Sequence, residues 1–207
     1  MSYASAVGRG AYSLKKSGAL ITTAALAIAF ACVAPPCLAD PSGEKAVVST
    51  EQQPNGHKWV KAKILINASP HIVWATIHEE RKKDPDLAYS KLLSQESDTH
   101  STLEQKFSLI PIIGTSTCVM RNVEVPLQRI DYNMIRSDRF KALEGSWVLS
   151  PGSRSGQTYL ELSSYADMGV PVPRNFVDAV TAKKLQKRLA HVKEMAETEQ
   201  TRIAHKP

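Results

Sequence analysis

Gly152-Ser153-Arg154-Ser155-Gly156 has the glycine spacing of a hydrolase nucleophile elbow, but its middle residue is Arg where that motif requires Ser. Its flanks read as a hairpin, not as the strand-to-helix turn that exposes a nucleophile. Asp98, His100 and Ser101 supply the residue types of a catalytic triad, yet they stand too close in sequence to be arranged easily as a chain of hydrogen bonds. They read as a solvated loop. His71 and His78 fall on one helical face two turns, or about 10 Å, apart, whereas metal-binding pairs sit at i,i+4. His57, His191 and His205 are isolated. The motifs therefore assign no catalytic residue, no metal and no cofactor. Cys118, between Thr117 and Val119, reads as a buried small hydrophobe, because a thiol nucleophile needs a nearby base and an electropositive pocket. Glu161 reads as solvent-facing, since Leu160 and Leu162 take the inner face of its strand. A carboxyl turned into a cavity instead would be the best general acid–base.

The elements that would position these residues begin at Trp59. Val60, Ala62, Ile64 and Ile66 alternate with Lys61 and Lys63, the pattern of a half-buried strand. Ser69 then reads as an N-cap and Pro70 as the first helical position, with Ile72, Val73, Trp74 and Ile77 as the apolar stripe. Asp84-Pro85 ends this helix. Residues 87–165 read as successive strands: 90–97, a stretch around Leu103 to Leu109, 119–127, a weaker one at 132–139, and a hairpin whose arms carry Trp147 and Leu149, then Thr158, Leu160 and Leu162. Residues 174–199 hold no Gly or Pro and place Val177, Val180, Leu185, Leu189, Val192 and Met195 at helical spacing. A long helix with one apolar face and an antiparallel sheet with one face to cover solve each other's problem. The fold class is α+β, a curved antiparallel sheet around a long C-terminal helix, with short helices after the first strand.

Of 207 residues, 43% are apolar and 22% charged, with three Cys and a net charge of +6, so disordered and disulfide-stapled classes are excluded. Residues 1–39 contain Arg9, Lys15 and Lys16 but no acidic residue; the remaining 168 carry 23 basic and 20 acidic residues, a net of +3. That charge is too small, and the aromatics too little interleaved with it, to imply nucleic acid. Lys15 and Lys16 precede an uncharged run over residues 19–34, a Pro35-Pro36 breaker and the small-x-small site Cys37-Leu38-Ala39. These are the parts of a secretory signal peptide. The expectation is export to the periplasm or the exterior, with Asp40 as the first mature residue. The alternative is an uncleaved anchor, although the run is short for a span of roughly 20 residues. Residues 40–56 read as a linker, 57–200 as one domain and 201–207 as a tail.

Ile66-Asn67-Ala68-Ser69-Pro70 with Val73-Trp74, then Leu143-Glu144-Gly145-Ser146-Trp147 with Pro151, Gly156 and Thr158, then Val172-Pro173 before a helix carrying Leu185, Leu189, Val192, Lys193 and Ala196, occur in one order over residues 57–200. In that order they resemble the START-like (SRPBCC, helix-grip) superfamily, and within it the polyketide cyclase/dehydrase and coenzyme-Q-binding START group. The resemblance implies a cavity between sheet and C-terminal helix for lipids, quinones, isoprenoids or polyketides, and no universal catalytic group. By strand parity its lining would be Phe107, Leu109, Val123, Val125, Trp147, Leu149, Leu160 and Leu162, with Phe176 and Val180 closing over from the helix; Cys118, Ser146 or Thr158 would be the polar anchors. The expected function is binding, transport or sequestration of one hydrophobic small molecule outside the cytoplasm. A cyclase/dehydrase acting in the same cavity, or a ligand-free interaction module, are the alternatives. Lys183, Lys184, Lys187 and Arg188 share one helix face, which is either solvated or a transient contact for an anionic membrane. The apolar segment Ile110-Pro111-Ile112-Ile113-Gly114 reads as a flap or a partner surface.

Overall fold

The computed structural model describes residues 45–84, 86–108, 114–169 and 171–206. Strands β1 (Val47–Gln52) and β2 (Lys58–Ile66) lead into helix α1 (Pro70–Lys82). Strands β3 (Leu87–Ser97), β4 (His100–Ser108), β5 (Thr115–Val125), β6 (Arg129–Ser137), β7 (Ala142–Pro151) and β8 (Thr158–Asp167) follow, and α2 (Arg174–Ala204) closes the chain. All eight strands form one antiparallel sheet, in the order β1-β2-β8-β7-β6-β5-β4-β3. The connection from β2 through α1 carries the chain to β3 at the far edge, and the successive strands β3 to β8 return so that β8 lies beside β2; every other neighbour is a sequence neighbour. The signal peptide expected over residues 1–39 lies outside the described residues.

The alternating strand read from Trp59 is β2, and its apolar residues Val60, Ala62, Ile64 and Ile66 are all buried on the face under α2. Ser69 caps α1 with Pro70 in its first turn, and the Ser69 hydroxyl makes no capping bond. Instead the turn is held from above. Glu197 Oε1 accepts from the Asn67 backbone N–H (2.9 Å) and side-chain amide (3.1 Å), and Gln200 Oε1 accepts from the Ser69 N–H (3.0 Å). Lys193 Nζ donates to the Leu65 carbonyl at 2.7 Å. The C-terminal half of α2 is thus clamped onto the β2–α1 turn. Its other end is fixed by Arg174, which donates to the carbonyls of Ala166 (2.8 Å) and Lys58 (3.2 Å) and lies over the Tyr165 ring.

Two expectations need correction. Residues 47–52 of the presumed linker form β1, paired with β2 from Val47↔Lys63 to Gln52↔Lys58. All six residues of β1 are exposed, so they carry no alternating signal. The final helix runs on to Ala204, into the presumed tail, because nothing in residues 200–204 breaks it.

Apolar burial falls into two groups. The larger lies under α1 and α2 and includes Ile66, Ile77, Trp147, Leu160, Leu162 and Leu189, each fully or almost fully buried and each worth roughly 1.5–3 kcal/mol of transfer free energy. The smaller is built on Cys118, Met120 and Phe140, with Phe107, Tyr132, Leu143, Ala166 and Met168 packed around them.

Candidate ligand cavity

A cavity of about 170 Å³, open to solvent on one side, lies where the two apolar groups meet. Trp147 and Leu185 line it from the larger group, and Phe107, Met120, Phe140, Leu143, Ala166 and Met168 from the smaller. Val180, Thr181 and Lys184 of α2 cover it. Within the sheet, helix α2 packs chiefly against β2 and β8, and the cavity forms beyond them, between the helix and residues of β3, β4 and β5.

Its polar end is built from the end of α1 and the facing turn of α2. Arg188 grips Glu80 through two hydrogen bonds (2.8 and 2.7 Å) and also reaches Asp84 at 3.1 Å. Glu80 is 3% exposed, so this is a buried, charge-assisted fork. The guanidinium lies 5.1 Å from the centre of the Trp147 ring. Burial works against the charged form of Arg188, but Glu80 and Asp84 outweigh it and raise the group above its ordinary pKa. Next to it Arg81 is lowered, by burial first and by Arg188 as a like charge, although Glu124 opposes both. Glu124 receives Arg81 Nη1 at 3.3 Å and His78 Nε2 at 3.4 Å. Burial pushes its carboxyl up, yet His78 and Arg81 together hold it below the usual carboxylate range. Lys184 meets Asp86 at 2.9 Å at the rim, where both side chains are half-exposed.

One row of paired residues crosses the sheet floor: Asn122, Tyr132, Gly145 and Ser164. Tyr132 lies across β7 and donates its hydroxyl to the Ser163 carbonyl at 3.0 Å. Burial raises its phenol pKa. Gly145 is required for that crossing, because a Cβ there would overlap both the Tyr132 ring and the Ser163 carbonyl. Asn122 is 2% exposed, lines the cavity, and its Nδ2 has no hydrogen-bond partner.

Of the residues expected to line a cavity, the structure brings Phe107, Trp147 and Val180 together around it. Leu149, Leu160 and Leu162 face inward but pack in the closed core beneath α2. Val123 and Val125 belong to the other face. On β5 the buried side is Ser116, Cys118, Met120 and Asn122, so the expected parity was one residue out, and Val125 is 45% exposed. Phe176 stands one turn before Val180, in the first turn of α2 beyond the rim, and is 47% exposed. Leu109 and residues 110–113 lie outside the described residues.

The expected polar anchors are engaged elsewhere. Cys118 sits in the smaller apolar group, where burial raises its thiol pKa. Ser146 bonds Ser163 on the outer face (2.9 Å), and Thr158 donates to the Ala68 carbonyl (2.8 Å). Glu161 is on the outer face too, paired with Lys61 at 2.7 Å. The basic helix face is divided: Lys184 and Arg188 turn to the cavity and its acids, while Lys183 and Lys187 are exposed. Sequence reasoning missed Arg81, Asp84, Asn122, Tyr132 and Arg188 as cavity residues. The available signal was an Asn inside an apolar strand and a charge-dense helix end.

No family model and no curated protein matches the chain. Solved structures do. Human StAR-related lipid transfer protein 5 superposes with a TM-score of 0.57 at 13% identity, over 75% of this chain and 84% of its own. A START superfamily protein from Mycobacterium smegmatis gives 0.53 at 16% identity, over 72% and 99%. The Zhui aromatase/cyclase from Streptomyces sp. R1128 gives 0.53 at 12% identity, over 71% and 95%. The chain has the START-like, helix-grip fold, as its sequence resemblance implied.

Proposed function

We propose that this START-like chain binds one hydrophobic small molecule, such as a lipid, quinone or isoprenoid, between its sheet and C-terminal helix, and carries or sequesters it. The observation that carries the reading is the cavity itself, walled by Phe107, Met120, Phe140, Leu143 and Trp147 where a solid core would have closed. Apolar walls with a few convergent polar groups are the usual build of a ligand site. At about 170 Å³ it is smaller than the roughly 300–1,000 Å³ of drug-sized sites, so a ring-sized group fits inside and a longer ligand extends through the open side. The lipid-transfer protein with this fold fits the same reading.

Export belongs to the proposal as well. Lys15 and Lys16, the uncharged run that follows and the site ending at Ala39 support it, and it would put the ligand outside the cytoplasm. Exposed Lys183 and Lys187 would then supply a transient contact with an anionic membrane.

A cyclase/dehydrase reading is favoured by one observation, the polar end formed by Arg81, Asn122 and Tyr132 inside the cavity. It fits the aromatase/cyclase with this fold. The two readings part on one point: a carrier returns its ligand unchanged. Purified protein extracted with organic solvent and analysed by mass spectrometry should release a hydrophobic compound in stoichiometric amount. A clean extract, from protein that also takes up no lipid, quinone or isoprenoid probe, would overturn both.

A further inference from the structure

Asn122 Nδ2 is a buried donor with no acceptor. The other buried side-chain atom of that kind among the described residues, Asp178 Oδ1, lies 2.8 Å from Arg174 Nε. An unmade hydrogen bond inside a protein carries the full desolvation penalty of the group, so a persistent orphan on a residue that lines a cavity marks a place where a partner arrives. The charged groups around it, and Gln105 and Tyr132, are engaged. Arg188 is held by Glu80 and Asp84, Arg81 by Glu124, Lys184 by Asp86, Gln105 donates to Ser90 at 3.3 Å, and Tyr132 donates to Ser163.

The charges choose between kinds of acceptor. Three cations, Arg81, Lys184 and Arg188, face four carboxylates, Glu80, Asp84, Asp86 and Glu124, with His78 also on Glu124. Among the described residues of the lining, Arg81, Lys184 and Arg188 are each already paired with a carboxylate, so an anionic ligand would find no unpaired cation to offset the loss of its hydration. A neutral oxygen needs no such cation.

We infer that Asn122 is the specificity-determining donor of the cavity and that the ligand is an uncharged carbonyl compound whose oxygen accepts from Nδ2, in preference to a fatty acid or another carboxylate. The inference rests on the ligand-binding reading above and adds the chemistry of the buried end. Ring-sized walls of Trp147, Phe107 and Phe140 would hold the apolar part against which the carbonyl is aimed.

The test uses the full chain, wild type and Asn122→Leu, with three probes of one shape: naphthyl methyl ketone, isopropylnaphthalene and naphthoate. In wild type the ketone should bind and naphthoate should be the weakest of the three. The substitution should weaken the ketone about 3- to 10-fold, the range of one neutral hydrogen bond, while isopropylnaphthalene binds as well or better. The infrared carbonyl stretch of the bound ketone should move to lower frequency in wild type and not in the variant. The thermal midpoint should not fall, because an unpartnered donor is removed; Asn122→Ala, which leaves space, should show the same selective loss.

Equal losses for both neutral probes, an unmoved carbonyl stretch, or tighter binding of naphthoate than of the ketone would overturn the inference and leave the binding reading standing. A variant that loses stability along with all binding would make Asn122 structural, and would also overturn it. If none of the three probes binds wild type while a lipid, quinone or isoprenoid probe does, the inference falls and the binding reading stands; if the extract is clean and no probe of either kind binds, both fall.

Discussion

Arg188 illustrates how much one side chain carries here, since it satisfies the buried Glu80 and the partly buried Asp84 and covers an aromatic ring at once. Removing one partner of a buried pair leaves the other charge uncompensated. Arg188→Met should therefore cost about 3–5 kcal/mol in urea unfolding, and adding Glu80→Leu should recover part of it. Gly145→Ala should displace Tyr132 from its place across β7 and cost about 1–3 kcal/mol; loss of the Tyr132 near-ultraviolet dichroism would report the movement. Glu124 sets an acid limit. Its folded-state pKa lies below the ordinary 4.5, so its contribution is complete above that value and is lost as pH falls through the folded pKa. Unfolding measured from pH 6 down to pH 3 should show a steeper decline in wild type than in Glu124→Gln. At this scale the sequence was least legible. Trp147 and Phe107 declare themselves by size and alternation, but Asn122 and Arg188 gain their meaning from partners on other elements, which no local pattern reveals. Taking Val123 and Val125 as inward shows how a single-residue slip of parity reverses every assignment on a strand.

At the scale of elements, the grip of α2 is polar at both ends and apolar between. Glu197 serves two donors of the β2–α1 turn and receives Lys193 as well. Glu197→Ala should cost about 1–3 kcal/mol. Amide exchange at Asn67 and Ser69 should accelerate before that of Ile64 and Ile66, which are held in β2. Both partners of this clamp could be picked out in sequence, the Asn67-Ala68-Ser69-Pro70 turn and the closing helix with Lys193 and Ala196. That they meet could not, because long-range contact leaves no periodic trace. β2, α1, the β7–β8 hairpin and α2 were legible because each buries one face and has clear punctuation at its ends. Strand β1 was not, having six exposed residues and no face to declare.

For the whole molecule, the proposal joins a leader to a small cavity. If the leader acts as proposed, the mature chain isolated from its source should begin at Asp40 by intact-mass measurement; retention of residues 1–39 would favour the anchored alternative. The START-like fold holds whichever is true, and the cavity is the claim that gives it a function. The most direct measurement is a calorimetric titration of delipidated protein with naphthyl methyl ketone, run in parallel on Ala166→Phe, a substitution that fills the cavity from its wall. The account predicts one site per chain in wild type, with a negative heat-capacity change from apolar burial, and loss of that site in a variant that remains folded. Absence of binding in wild type, or an undiminished site in folded Ala166→Phe, would contradict it.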